Sequence, residues 1–261
     1  MIDRNTASGP NVHIIDTAFP MPQLGRYRRI WLYLPPEYAS GQNHYPVLYM
    51  HDGQNLFENW SAFGEEWQVD ETLDRMDRKC IVVGIDNGGE HRLREYNVND
   101  HAELGKGEGR RYLSFIVETL KPFIDRTYRT KPGRAHTTIA GSSMGGLISY
   151  YAALLHPEVF GRAGVFSPSF WLQPSILQET KAIAARSRPP VDLYFYAGEQ
   201  EGAEMAARVR AVTSLLQGHP AFRVQEYYNP SGTHSEAEWR AHFPEFYGWL
   251  MGLRRRSNVS A

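Results

Sequence analysis

The run Gly141-Ser142-Ser143-Met144-Gly145 constrains this chain more than any other segment. It lies between an apolar, β-branched stretch, Thr137-Thr138-Ile139-Ala140, and a helix-like stretch over residues 147–155. The pattern predicts a strand, a sharp turn and a helix, with a serine at the apex. Small residues on both sides suit a serine held in a strained backbone conformation. That conformation lifts Oγ off the sheet edge and brings the first N–H groups of the next helix to face it. Five letters make a weak motif, so the flanks carry the reading. The plainer alternative is a Gly-rich turn in which Ser143 only caps a helix beginning at Met144.

The rest of the chain alternates in the same way. Strand-like runs occur at residues 27–34, 47–50, 81–85, 137–140, 163–166, 191–196 and 224–228. Helical spacing of apolar residues appears at 67–76, at 112–120, after the elbow, at about 202–216 and after His234. Strands alternating with helices predict an α/β fold, a mainly parallel central sheet with helices on both faces. No repeat, low-complexity tract or linker interrupts it. The expectation is one domain over 1–261 with its core at about 26–250. Residues 1–11 and 254–261 are expected to be flexible, and Arg254-Arg255-Arg256 a solvated tail.

Composition excludes several classes. The 261 residues carry 28 basic and 29 acidic side chains, a formal net charge of -1, which gives no reason to expect nucleic acid or an anionic membrane as partner. The single cysteine, Cys80, forbids an intrachain disulfide and precedes the apolar Ile81-Val82-Val83, where burial is expected. No apolar stretch has the length of a membrane span. Residues 1–10 lack the apolar core of a signal peptide, so a cytoplasmic location is expected, although a mature exported form would read the same. Oligomeric state is not legible.

A serine at such an elbow needs a base from a loop beyond the last strand. His234, in Pro230-Ser231-Gly232-Thr233-His234, is the one histidine there; His242 falls inside the helix that follows. The histidine in turn needs a carboxylate after the penultimate strand. Glu199, Glu201 and Glu204 compete, and Glu201, three residues past Gly198, is favoured, with Glu199 next. Two backbone N–H groups should face the reacting oxygen: that of Met144, and that of Gln54 in the loop His51-Asp52-Gly53-Gln54-Asn55. His51 and Asp52 invite a metal reading, but no second cluster has ligand spacing, so neither metal nor cofactor is expected.

These segments resemble an esterase family within the α/β-hydrolases. The likeness lies in residues 46–57, Pro-Val-Leu-Tyr-Met-His-Asp-Gly-Gln-Asn-Leu-Phe, and in Gly64-Glu65-Glu66-Trp67. It continues in residues 83–89, in Tyr112-Leu113-Ser114-Phe115, in Gly141 to Gly146 and in Phe166-Ser167-Pro168-Ser169-Phe170-Trp171. The family includes enterochelin-type siderophore esterases, feruloyl and acetylxylan esterases of carbohydrate esterase family one, S-formylglutathione hydrolases and mycolyltransferases. The resemblance implies an α/β-hydrolase fold with Ser143 as nucleophile, His234 as base, Glu201 as acid, and Met144 and Gln54 at the oxyanion. A glutamate stands where the wider fold usually has aspartate.

The expected activity is a serine carboxylesterase working through an acyl-serine intermediate. Acetyl or feruloyl esters of carbohydrates, or aryl esters, come first as substrates. An enterochelin-type siderophore esterase or an S-formylglutathione hydrolase-like thioesterase comes next. An acyltransferase, and a non-catalytic binding protein on the same fold, are the readings from other classes. Trp171, Trp67, Tyr96 and Arg92 are the expected substrate-binding residues, for a small-molecule or oligosaccharide ester.

Overall fold

The computed structural model describes residues 9–77, 79–186 and 188–253. The Arg254-Arg255-Arg256 run and residues 1–8 lie outside them. Eight strands form one sheet: β1 (Val12–Met21), β2 (Arg26–Tyr33), β3 (Val47–His51), β4 (Ile81–Ile85), β5 (Thr137–Ser142), β6 (Arg162–Phe166), β7 (Val191–Gly198) and β8 (Phe222–Asn229). Their order is β1-β2-β4-β3-β5-β6-β7-β8. The pairs from β4 to β8 are parallel, and β2 joins β4, and β1 joins β2, antiparallel.

The central strands are buried throughout because both of their faces are covered. Every residue of β3, β4 and β5 is buried, as expected where helices pack on both sides of a parallel sheet. Alternate side chains divide between two cores. Tyr49, Ile81, Val83 and Ile139 face one core, and Leu48, Met50, Val82 and Ala140 the other. The first face is covered by α3 (Gly109–Phe115), α4 (Lys121–Thr127), α5 (Met144–Leu155), α6 (Ile176–Ala184) and α7 (Ala203–Leu216). The second is covered by α1 (Val69–Arg75) and α8 (Glu236–Leu250), and a short α2 (Arg92–Glu95) follows β4. Helix α5 buries every residue except Leu155, so it is apolar all round and not on one stripe. This is the α/β-hydrolase architecture, and each functional loop leaves a strand at the C-terminal edge of the sheet, where open α/β sheets bind ligands.

Three elements escape the sequence pattern, β1, α6 and the short α2, which falls in a polar stretch, and one boundary moves. Strand β1 has only three buried residues in ten and two register shifts against β2. As an edge strand it shows no clean alternation. Helix α6 has no clear signal in the sequence either. Residues 9–11, expected in a flexible arm, are tied down. The carbonyl of Asn11 accepts from the N–H of Leu34 (2.9 Å), and its side chain bonds Asp74. Cys80 is buried immediately before β4, and desolvation pushes its thiol up to about 12.

Candidate active site

Ser143 sits between β5 and α5 with φ 58° and ψ -120°. A non-glycine residue with positive φ is strained and persists only where its surroundings hold it. Here its N–H donates to the carbonyl of Phe166 (2.9 Å) and its carbonyl accepts from Leu147 and Ser169. Small neighbours permit the tight turn. A Cβ on Gly145 would lie 3.2 Å from both Asp52 Oδ2 and His51 Cβ, so the loop after β3 abuts the start of α5. That packing brings Met144 and Gln54 to the same sheet edge. The N–H of Met144, in the first turn of α5, has no intrahelical acceptor.

Ser143 Oγ lies 3.1 Å from His234 Nε2, and His234 Nδ1 lies 2.9 Å from Glu201 Oε2. The Glu201 side chain is wholly buried, and that of His234 is about a third exposed. Glu201 Oε1 accepts from the Gly198 N–H (2.7 Å) and the Ser167 hydroxyl (2.6 Å). Ser167, itself at φ 42°, accepts from Trp239 Nε1 (2.9 Å), and the Trp239 ring meets the His234 imidazole edge-on. A carboxylate only accepts, so Nδ1 carries the proton of this pair and Nε2 presents a lone pair to Ser143. The loops after β7 and β8 meet backbone to backbone. A Cβ on Gly198 would fall 2.3 Å from the carbonyl oxygen of Gly232. Only glycine fits there, and that approach brings the Glu201 and His234 loops together.

The competing residues go elsewhere. Glu199 pairs with Arg210 on α7, and Glu204 with Arg208 at 3.2 Å. His242 is buried, bonded to Tyr194 Oη at 2.6 Å. His51 bonds Tyr112 Oη (2.9 Å), and burial pushes its pKa down to about 3. Asp52 receives both Nε (2.7 Å) and Nη2 (2.9 Å) of Arg92 and the Asn87 amide (2.9 Å). Burial raises the Asp52 carboxyl, but Arg92 and Asn87 outweigh it and hold it below the usual carboxylate range. Among the described residues no group of three or more His, Cys, Asp or Glu side chains is arranged to hold a metal ion.

A cleft of about 400 Å³ opens beside Ser143, lined by Met144, Ser169, Trp171, Leu104 and Arg92 among others. Trp171 is half exposed there. Two expected substrate contacts are corrected. Trp67 is 3% exposed and packs on Phe166 and Trp239, and Tyr96 is fully buried with its hydroxyl on the Asp52 N–H. Both are large aromatic surfaces that the core absorbs before a ligand can reach them. Arg92 reaches the cleft, but its guanidinium fork is committed to Asp52. Sequence reasoning missed Ser167 and also Ser169, whose Oγ lies 3.3 Å from that of Ser143. Both stand in the Ser-Pro-Ser stretch after β6, and that stretch was the available signal.

The chain is 31% identical over 183 residues to the YbbA protein of Bacillus subtilis (strain 168), covering 68% of this chain and 70% of that one. It is 26% identical over 181 residues to an endo-1,4-beta-xylanase/feruloyl esterase of Xylanibacter ruminicola, covering 66% of this chain and 23% of that protein. It is 26% identical over 249 residues to the iron(III) salmochelin esterase of Escherichia coli O6:H1, covering 87% of this chain and 55% of that protein. The chain thus spans about half of the siderophore esterase and under a quarter of the xylanase/feruloyl esterase. The BES protein from Bacillus cereus shares the fold with a TM-score of 0.78 at 17% identity, covering 96% of this chain and 98% of that one. Residues 22–250 match the model of the family described as "Putative esterase", nearly the whole sheet and its covering helices, and the chain belongs to that family.

Proposed function

We propose that this protein is a serine carboxylesterase, with Ser143 as nucleophile, His234 as general base and Glu201 as the acid that orients the imidazole. The observation that carries the reading is the unbroken line Ser143 Oγ–His234 Nε2–Glu201 Oε2, at 3.1 and 2.9 Å, beside an open cleft. His234 takes the proton of Ser143 as Oγ attacks the ester carbonyl, and a tetrahedral oxyanion forms. The N–H groups of Met144 and Gln54 are assigned to that oxyanion, each such donor being worth about 3–4 kcal/mol in the transition state. The imidazolium then gives its proton to the leaving alcohol, and an acyl group stays on Ser143. Water, deprotonated by His234, releases the acid.

The cleft supports esters with an apolar or ring-shaped part. Trp171 offers an exposed aromatic face, with Leu93, Leu104 and Leu172 around it, and His101 and Glu103 add polar groups suited to hydroxyls. Acetyl or feruloyl esters of carbohydrates, or aryl esters, are the proposed substrates. Siderophore esters are the second reading, supported by the match to the salmochelin esterase over most of this chain. The test is a panel of p-nitrophenyl acetate, acetylated and feruloylated saccharides, S-formylglutathione and a catechol siderophore, each with wild type and Ser143→Ala. Turnover of at least one ester that Ser143→Ala abolishes is expected. Full activity in Ser143→Ala would refute the assignment.

A further inference from the structure

We infer that Asn99, Gln173 and Glu179 are specificity-determining positioning residues that set the width of the cleft beside Ser143. The inference rests on the esterase reading above and concerns which esters fit. One wall segment of the cleft is the loop 99–107, which contributes His101, Glu103 and Leu104, and a second is the Trp171-Leu172 turn after β6. The loop is a closed unit: His101 and Gly105 exchange backbone hydrogen bonds at 2.9 Å, and the Gly107 N–H donates to Asp100 Oδ1 (3.0 Å). It touches the second wall through side chains at its root. Asn99 Nδ2 donates to Gln173 Oε1 and to Glu179 Oε1, both at 2.8 Å. Gln173 Nε2 donates back to Asn97 Oδ1, and Glu179 Oε2 accepts from Tyr151 Oη (2.9 Å), a residue of α5.

This network spans 74 and 80 residues of sequence between Asn99 and its two shorter-bonded acceptors, and Asn99 Nδ2 also reaches Tyr151 Oη at 3.4 Å. Gln173 is 2% exposed and Asn97 1%, so the bond between them lies where water competes poorly, while Asn99 and Glu179 are half-buried at its edge. None of the three side chains lines the cleft with Ser143. Their action is to keep two walls, carried by separate loops, at one separation. Glu179 also links both walls to α5, the helix that begins immediately after Ser143.

The test compares large-to-small preference in wild type, Asn99→Ala, Glu179→Ala and Glu179→Gln. The acyl arm is p-nitrophenyl hexanoate against p-nitrophenyl acetate, and the alcohol arm is 2-naphthyl acetate against ethyl acetate. In Asn99→Ala and Glu179→Ala at least one ratio of kcat/KM should shift on the order of tenfold, the discrimination that one or two methylenes against a pocket wall provide. The shift should be carried by KM for the larger ester. Glu179→Gln keeps an oxygen for Asn99 and should retain the wild-type ratios. Amide exchange over 99–107 should accelerate in the two alanine variants, a readout that needs no turnover. Ratios within twofold of wild type in folded alanine variants overturn the inference, as does a Glu179→Gln profile that matches Glu179→Ala. Should Asn99→Ala not fold, the Glu179 pair decides alone. Turnover surviving in Ser143→Ala strikes at the hydrolase reading instead, whereas turnover lost there with unchanged ratios here strikes only at the walls.

Discussion

Replacing Glu201 by glutamine keeps the shape of the side chain and inverts what His234 can do. The oxygen at the Oε1 position is fixed by its donors. The Gly198 N–H, a backbone group with no freedom to turn away, points at it from 2.7 Å, and the Ser167 hydroxyl from 2.6 Å. Setting an amide NH2 there would put it against the Gly198 N–H and strand a buried donor, at about 1–3 kcal/mol for the lost partner alone. The glutamine therefore keeps its carbonyl at Oε1 and turns its NH2 towards His234 Nδ1. That nitrogen must then accept, the imidazole proton moves to Nε2, and Nε2 meets Ser143 as a donor when a base is required. Loss of the correct tautomer is expected to lower kcat about 10³–10⁴-fold, equivalent to about 4–5.5 kcal/mol. Glu199→Gln is the control, because Glu199 serves only Arg210 at the surface. Its kcat should change less than about threefold. Steady-state hydrolysis of p-nitrophenyl acetate, with thermal melts to show that both variants fold, provides the comparison. A Glu201→Gln kcat within tenfold of wild type, or a larger loss in Glu199→Gln, refutes the reasoning.

Further outcomes follow from neighbouring groups. Ser143→Ala should abolish turnover without lowering Tm, since it removes one hydroxyl from a turn that is already strained, and an organophosphate should label Ser143 in the wild type and nothing in the variant. Arg92→Ala takes the guanidinium from the Asp52 carboxylate, 6% exposed in the wild type, and leaves it the Asn87 amide. A loss of about 3 kcal/mol in urea unfolding is expected, and of kcat with it, because Asp52 is at φ 54° immediately before the Gln54 turn. The depressed Asp52 carboxyl contributes stability at neutral pH that is lost as pH falls through its folded value. His51 adds a second acid-sensitive contribution. Its folded pKa is about 3, against about 6.5 for a free imidazole, so above pH 6.5 it contributes nothing, and below it the unfolded chain takes up a proton that the folded one refuses. Stability should drop by about 2 kcal/mol between pH 7 and 5 from this group, and urea unfolding of His51→Gln should lack that part of the drop. EDTA should leave kcat/KM unchanged, since the assigned oxyanion donors are backbone N–H groups while Asp52 is held by Arg92 and His51 by Tyr112. Activity lost on chelation and restored by zinc would contradict this.

Much of the fold is written in local pattern. A strand buried on both faces carries few charged or strongly polar side chains, so β3 and β4 stand out as short apolar runs and β5 as a β-branched one, Thr137-Thr138-Ile139-Ala140, before the elbow. The elbow is equally legible, because strand, serine and helix follow one another directly in the chain and Gly141 packs on the Gly145 backbone within the turn. His234 is found by position, as the histidine in the loop after the last strand. The edge strand β1 is not legible, since one neighbour and open solvent impose no alternation. Local pattern favours Glu201 without deciding it: Glu199 and Glu201 share one loop and Glu204 opens α7, and the seating of Gly198 against Gly232 aims residue 201 at the imidazole. Trp67 and Tyr96 carry the same ambiguity, because an aromatic ring serves a core and a ligand surface equally well until neighbours close over it. The amino-acid sequence by itself determined the sheet, the elbow and the kinds of side chain available for chemistry, since these depend on near neighbours and on burial. Tertiary structure decided which groups meet: Glu201 and His234 lie 33 residues apart, Ser143 and His234 lie 91 apart, and such convergence is set by how loops pack at the sheet edge, which no periodicity along the chain encodes.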